Sequence, residues 1–112
     1  MKDIEFIGSS LEIIKDFPLK AKRQVGHELD RVQRGQDPSD WKPMKSIGTG
    51  VKEIRVKDKD GIYRVIYVVK YLDLVHVLHA FQKTTQQTAK NDLDLAKKRL
   101  KKLIQEATHG SI

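Results

Sequence analysis

The chain has no cysteine. That excludes disulfide frameworks, thiolate metal centres and thiol redox chemistry, and it agrees with the reducing conditions of the cytoplasm, the expected location. Long hydrophobic runs are missing too, and no segment approaches the roughly 18 apolar residues of a membrane helix. The opening stretch, MKDIEFIGSSLEIIKDF, lacks an uninterrupted apolar stretch and carries acids early, which argues against a secretory signal. Glycines do not form a phosphate-cradling loop, because Gly48-Thr49-Gly50 lacks the lysine and hydroxyl context that such loops need. No local Ser/His/Asp signature, internal repeat or low-complexity tract is present. The histidines are His27, His76, His79 and His109. Strict strand alternation sends His76 and His79 to opposite faces, a poor geometry for shared ligation, so neither a metal nor another cofactor is expected.

What is present is positive charge. The 112 residues hold 22 Lys and Arg against 15 Asp and Glu, a net charge of +7. A balance of this kind favours an anionic partner, nucleic acid or an acidic protein surface, with a merely soluble basic protein as the plain alternative. Apolar residues make up 38% and charged residues 33%, which places the chain among globular proteins rather than disordered ones. The length fits one domain spanning 1–112.

Along the chain, residues 3–8 alternate polar and apolar and read as a short edge strand. Ser9 followed by Glu12 fits a capping box. Two helices are expected, over about 10–16 and 18–34, the second with Ala21, Val25, Leu29 and Val32 in an apolar stripe and Gly35 as its stop. Residues 35–50 read as an irregular loop pinned by Trp41, Met44 and Ile47. Strands follow over about 51–57, 62–71 and 74–83, joined by the DKDG turn and a tight connection at 71–73, and form an antiparallel meander. A C-terminal amphipathic helix carries Leu93, Ala96, Leu100, Leu103, Ile104 and Ala107 on its apolar face, with the final residues frayed. The order β-α-α-β-β-β-α is an α+β layout, with helices against one face of an antiparallel sheet.

The strands hold cations where apolar residues would be cheaper. Arg55, Arg64 and Lys83 sit among Val, Ile and Tyr, and a buried charge must be paired. Antiparallel pairing across the two turns brings Arg64, Lys83 and either Arg55 or Lys57 to one edge of the sheet, where a rim opens to solvent. Such a cluster can hold an anion, or it can be a solvated rim of charge. His79, on the face of Lys83, is a further candidate, although strand histidines are more often packed than reactive. KKRLKK at 97–102 reads as the solvated face of a helix, or as a set of nucleic-acid backbone contacts.

These blocks carry a resemblance. Trp41–Lys45, the Gly48–Val56 run with its E-x-R of Glu53 and Arg55, Y-R-V-I-Y at 63–67, L-H-A-F-Q-K at 78–83 and Ala96–Arg99 resemble the RelE/ParE toxin superfamily, and within it the phage-derived HigB-like branch. The likeness spans roughly 5–108. It implies the RelE-like fold, in which an N-terminal strand and two helices pack on a curved antiparallel sheet. It also implies a type II toxin that is a ribosome-dependent mRNA endoribonuclease, metal-independent, held inactive by a cognate antitoxin, a helix-turn-helix protein resembling HigA. The chemistry implied is attack of a ribose 2′-OH on the adjacent phosphate, which needs a base, a proton donor and cations around the phosphorus.

By position in the motifs, the resemblance assigns catalysis to Arg64, Lys83 and Arg55, with Arg64 stabilising the transition state. Secondary candidates for RNA contact are Lys52 and Lys57, joined by His79 from its strand face and by Lys97 and Lys98 from the basic helix run, and a lysine with a lowered pKa could serve as base. Two departures stand out. Thr84 occupies the place of a second lysine found in many relatives, and no aromatic follows Phe81. The alternatives are a ParE-like poison of DNA gyrase that does no chemistry, and an inactive basic binding relative.

Overall fold

A computed structural model describes residues 1–69, 71, 73–83 and 89–109, the last without its side chain. The departure at Thr84 and three of the four closing residues expected to fray, 110–112, therefore fall outside the described residues, while the first of the four, His109, still belongs to the last helix. Five strands, β1 (Ile4–Phe6), β2 (Trp41–Pro43), β3 (Lys52–Asp58), β4 (Gly61–Val68) and β5 (Val75–Lys83), join three helices, α1 (Ser10–Lys15), α2 (Leu19–Gln33) and α3 (Lys90–His109). The α+β class and the order of the major elements are as the sequence predicts.

The sheet is mixed, with spatial order β1-β5-β4-β3-β2. The β3–β4–β5 meander is antiparallel, but β1 lies parallel to β5, matching Ile4 to Val75 and Phe6 to Val77. The expected loop over 35–50 contains β2, paired to β3 with Trp41 opposite Ile54. Three residues ending in proline give almost no alternation to read, and a strand of that kind survives only at an edge.

The helices divide between the two faces instead of sharing one. Ile14, Ala21, Val25, Leu29 and Val32 of α1 and α2 pack on Ile54, Val56, Tyr63, Val65 and Tyr67. Ala96, Leu100 and Leu103 of α3 pack on Ile66, Val68, Leu78 and Phe81, the alternate residues of the same strands, together with Met44 and Ile47 from the loop. Ile104, placed by periodicity on the apolar face of α3, is exposed.

One irregularity organises β5. Ile66 pairs with His79 and Tyr67 with Val77, which leaves Leu78 as an extra residue, a β-bulge. Up to Val77 the odd-numbered residues face α1 and α2. Beyond the bulge the parity reverses: Ala80 joins that core while Phe81 joins the core under α3. The even alternation expected along β5 is therefore wrong from residue 79 on. Arg99 of α3 secures this point. Its guanidinium donates to the Leu78 carbonyl at 2.9 Å and to Ser9 Oγ at 3.1 Å. Ser9 thus accepts from Arg99 and makes no helix-capping bond of its own, so the expected capping box does not form. Gly8 permits the clamp: its φ is +59°, and a Cβ there would lie 2.6 Å from the Arg99 guanidinium.

Glu28 anchors the approach to β2. Its buried carboxylate accepts from Ser39 N–H at 2.6 Å, Ser39 Oγ at 2.8 Å and Gln24 Nε2 at 2.9 Å. Burial raises the pKa of this group, yet the hydrogen bonds from Ser39 and Gln24 and the neighbouring His27 outweigh it and hold the carboxyl below its ordinary value near 4.5. A depressed carboxylate stabilises the fold above its unfolded pKa and loses that contribution as pH falls through the folded value. Glu28→Ala is expected to cost about 1–3 kcal/mol at pH 7. Thermal melts at descending pH should show the gap between wild type and Glu28→Gln narrowing below about pH 4.5. A gap that is constant with pH would remove Glu28 as the anchor.

Candidate active site

Residues directly opposite one another across a sheet share a face. The register places Lys57, Ile62 and Lys83 in one row, and Arg55, Arg64 and Phe81 in the next. Glu53, Ile66 and His79 form the third row, with Lys42 of β2 beside Glu53. All three rows lie on the face that carries α3. Arg55, Lys57, Arg64 and Lys83 thus converge on one end of the meander. The bulge is what allows this. With unbroken alternation from Val77, Lys83 and Phe81 would lie on the opposite side of the sheet from Arg64.

The convergence is layered, not a continuous open rim. Arg64 is fully buried, and its Nη1 donates to Glu53 Oε1 at 2.8 Å, a carboxylate that is itself fully buried. The expectation that Arg64 opens to solvent is corrected: it sits in a central strand, beneath the cations of the row at the strand ends. Lys42 approaches the same carboxylate at 4.0 Å. Arg55, directly opposite Arg64, would repel it were Glu53 and Asp40 absent; Arg55 lies 3.5 Å from Asp40. The Nε of Arg55 is buried without a hydrogen-bond partner among the described residues. Lys57 is exposed and Lys83 partly so.

His79 is buried, so it does not offer its ring to solvent as a surface RNA contact would. Its Nε2 lies 2.8 Å from Asp92 Oδ1, in the first turn of α3. A carboxylate accepts, so this nitrogen carries the proton, and Nδ1 is left buried with no hydrogen-bond partner among the described residues. Burial lowers the pKa of His79; Asp92 opposes that shift and Arg99 adds to it, which leaves the ring neutral at pH 7. The other oxygen of Asp92 is 3.2 Å from Lys83 Nζ.

The remaining candidates disperse. Lys52 shares the face of Ile54, where it meets Asp37 at 3.1 Å and the Trp41 ring at 4.4 Å, away from the other cations. Lys97 and Lys98 are exposed on α3, while Ala96 and Leu100 turn toward the sheet. The bulge also puts His76 on the same face as His79, against the expected opposition, but the His76 ring is committed to the Tyr71 carbonyl at 2.9 Å. Among the described residues no group of three His, Cys, Asp or Glu side chains could hold a metal ion.

Sequence reasoning missed Glu53, Asp92 and Arg99 as partners. For Glu53 a signal existed: it stands two residues from Arg55 and therefore on the same face of β3. For Asp92, which reads as a dipole-favoured first-turn acid, nothing local pointed to His79 and Lys83.

Chemically, a buried arginine–glutamate pair backs a partly exposed row of cations, an arrangement suited to holding an anion in place. A family model described as "Phage derived protein Gp49-like (DUF891)" matches residues 12–101. No curated protein matches the chain.

Proposed function

Because the chain belongs to the phage-derived Gp49-like family, which is associated with RelE- and HigB-type toxins, we propose that it is the toxin of a type II toxin–antitoxin module and cuts mRNA on the ribosome. The observation that carries this reading is the placement of Arg55, Lys57, Arg64 and Lys83 in adjacent rows on one sheet face.

In the reaction proposed, the ribose 2′-oxygen bonds to the adjacent phosphorus and the bond from phosphorus to the 5′-oxygen breaks. One product ends in a 2′,3′-cyclic phosphate and the other begins with a 5′-hydroxyl. A proton leaves the 2′-OH and another reaches the departing 5′-oxygen, so no metal or cofactor is required. Negative charge grows on the phosphoryl oxygens in the transition state, and preorganised cations there contribute most. Lys83, Lys57 and Arg55 face the phosphate in this reading. Arg64, locked by Glu53, stabilises the transition state from beneath them. Lys97 and Lys98 add sequence-independent backbone contacts on the outer side of α3.

The setting is cytoplasmic, where ribosomes are. Among the described residues no helix is long and apolar enough to cross a membrane. The partner is a cognate antitoxin, a helix-turn-helix protein of the HigA kind, encoded beside the toxin.

Primer extension on a defined mRNA after brief induction tests the reading, with wild type beside Arg64→Lys, which keeps the buried charge but loses the guanidinium fork. Cuts confined to translated regions, and strongly reduced in the variant, are expected. Intact mRNA in arrested cells would transfer the search to gyrase. Intact mRNA with normal growth would leave a binding protein.

A further inference from the structure

The cation row has a support that the toxin reading does not by itself supply. Lysine is a flexible point charge, and freezing its four-carbon stem costs rotamer entropy. Lys83 stands at the end of β5 with its stem partly exposed, where an unaided ammonium would sweep a wide arc. Here it is held on two sides. Asp92 Oδ2 lies 3.2 Å from Nζ, and the ring of Phe81 lies 6.0 Å from it.

Asp92 is held in turn. It occupies the first turn of α3, where backbone N–H groups favour a carboxylate. Its other oxygen takes the Nε2 proton of His79, a ring that is 5% exposed and stacked on Phe81 with centroids 5.1 Å apart. The two oxygens of one carboxylate therefore tie a buried histidine to a partly exposed lysine. The histidine can form this tie only because the bulge at Leu78 turns it toward α3.

We propose that Asp92, fixed by His79, is the positioning residue that orients the Lys83 ammonium toward the anion bound at this sheet face. The catalytic consequence rests on the ribonuclease reading; the positioning itself does not. His79 acts through Asp92, which gives a role to a strand histidine that burial keeps from touching RNA directly.

Two measurements on the full chain test this. In ammonium-selective NMR of the free protein, the Lys83 Nζ order parameter should be high in wild type and fall to the value of an exposed lysine in Asp92→Asn and in His79→Gln. An order parameter unchanged by both substitutions would overturn the positioning. In single-turnover cleavage of mRNA on purified ribosomes, Asp92→Asn should lower the maximal rate by about 10-fold or more while half-saturation moves less than about 3-fold. Adding Lys83→Ala to Asp92→Asn should cost clearly less than Lys83→Ala costs alone, because a residue that acts through another has little left to lose. Losses that simply multiply would overturn the proposal. Wild-type protein that leaves ribosomal mRNA intact would sink the ribonuclease reading, and the NMR comparison would still decide whether Asp92 positions Lys83.

Discussion

Glu53→Ala is expected to destabilise the protein by about 3–5 kcal/mol and lower its melting temperature by more than about 10 °C. The pair it breaks joins Glu53 to Arg64 at 2.8 Å, with both side chains fully buried in the middle of the sheet. Alanine removes the carboxylate and leaves the guanidinium charged in a site poor in water. Deprotonation offers no escape, since arginine keeps its charge in proteins. Replacing both partners, Glu53→Leu with Arg64→Met, removes the charge and its counter-charge together. That variant should recover most of the loss, because well-packed apolar residues often match a buried ion pair. It should nevertheless fail to cleave mRNA, which separates the pair's effect on stability from its effect on chemistry. Urea unfolding of the three proteins decides the first point. A loss below about 1 kcal/mol for Glu53→Ala would mean that water reaches the pair in solution.

Lys83→Ala should behave in the opposite manner. Its expected effect is a fall in cleavage rate of about 100- to 1,000-fold, the scale seen when one preorganised donor to a charged transition state is removed. Stability should change by less than about 1 kcal/mol, because a partly exposed ion pair contributes little. Lys83→Arg should restore a part of the rate, since it keeps the charge but places a wider head where Asp92 and Phe81 hold a slim one. Single-turnover assays on purified ribosomes, read beside thermal melts, test both statements. An unchanged rate would move the phosphate away from the end of β5.

The sequence made the major elements readable because their patterns are regular. Ala21, Val25, Leu29 and Val32 recur at helical spacing, and all four are buried on one side of α2. The DKDG turn fixed the pairing of β3 with β4, and of the alternatives Arg55 and Lys57 both lie on the face of Arg64, with Arg55 directly opposite it. Three things were missed, two of them out of reach. The parallel seat of β1 beside β5 depends on a contact more than 70 residues distant in the chain, which no local pattern encodes. The division of helices between faces could have been inferred from β4, whose two faces are both apolar apart from Arg64, as in a strand covered on either side. The bulge at Leu78 had no signal, because VHVLHAF reads as an unbroken β run whichever residue is extra. The site was therefore legible as a set of cations, while the side of the sheet they occupy and the Asp92 that holds Lys83 were not.

The order of the chain gives the Arg99 clamp a temporal meaning. Ribosomes make β5 before α3, so the nascent sheet exists for a time without the guanidinium that holds the Leu78 carbonyl and without the carboxylate that meets Lys83. Until the last helix has emerged and docked, the bulge lacks its Arg99 clamp and Lys83 lacks the carboxylate that holds it. A protein proposed to attack translating ribosomes would thus still lack the support of its Lys83 while attached to the one that is making it.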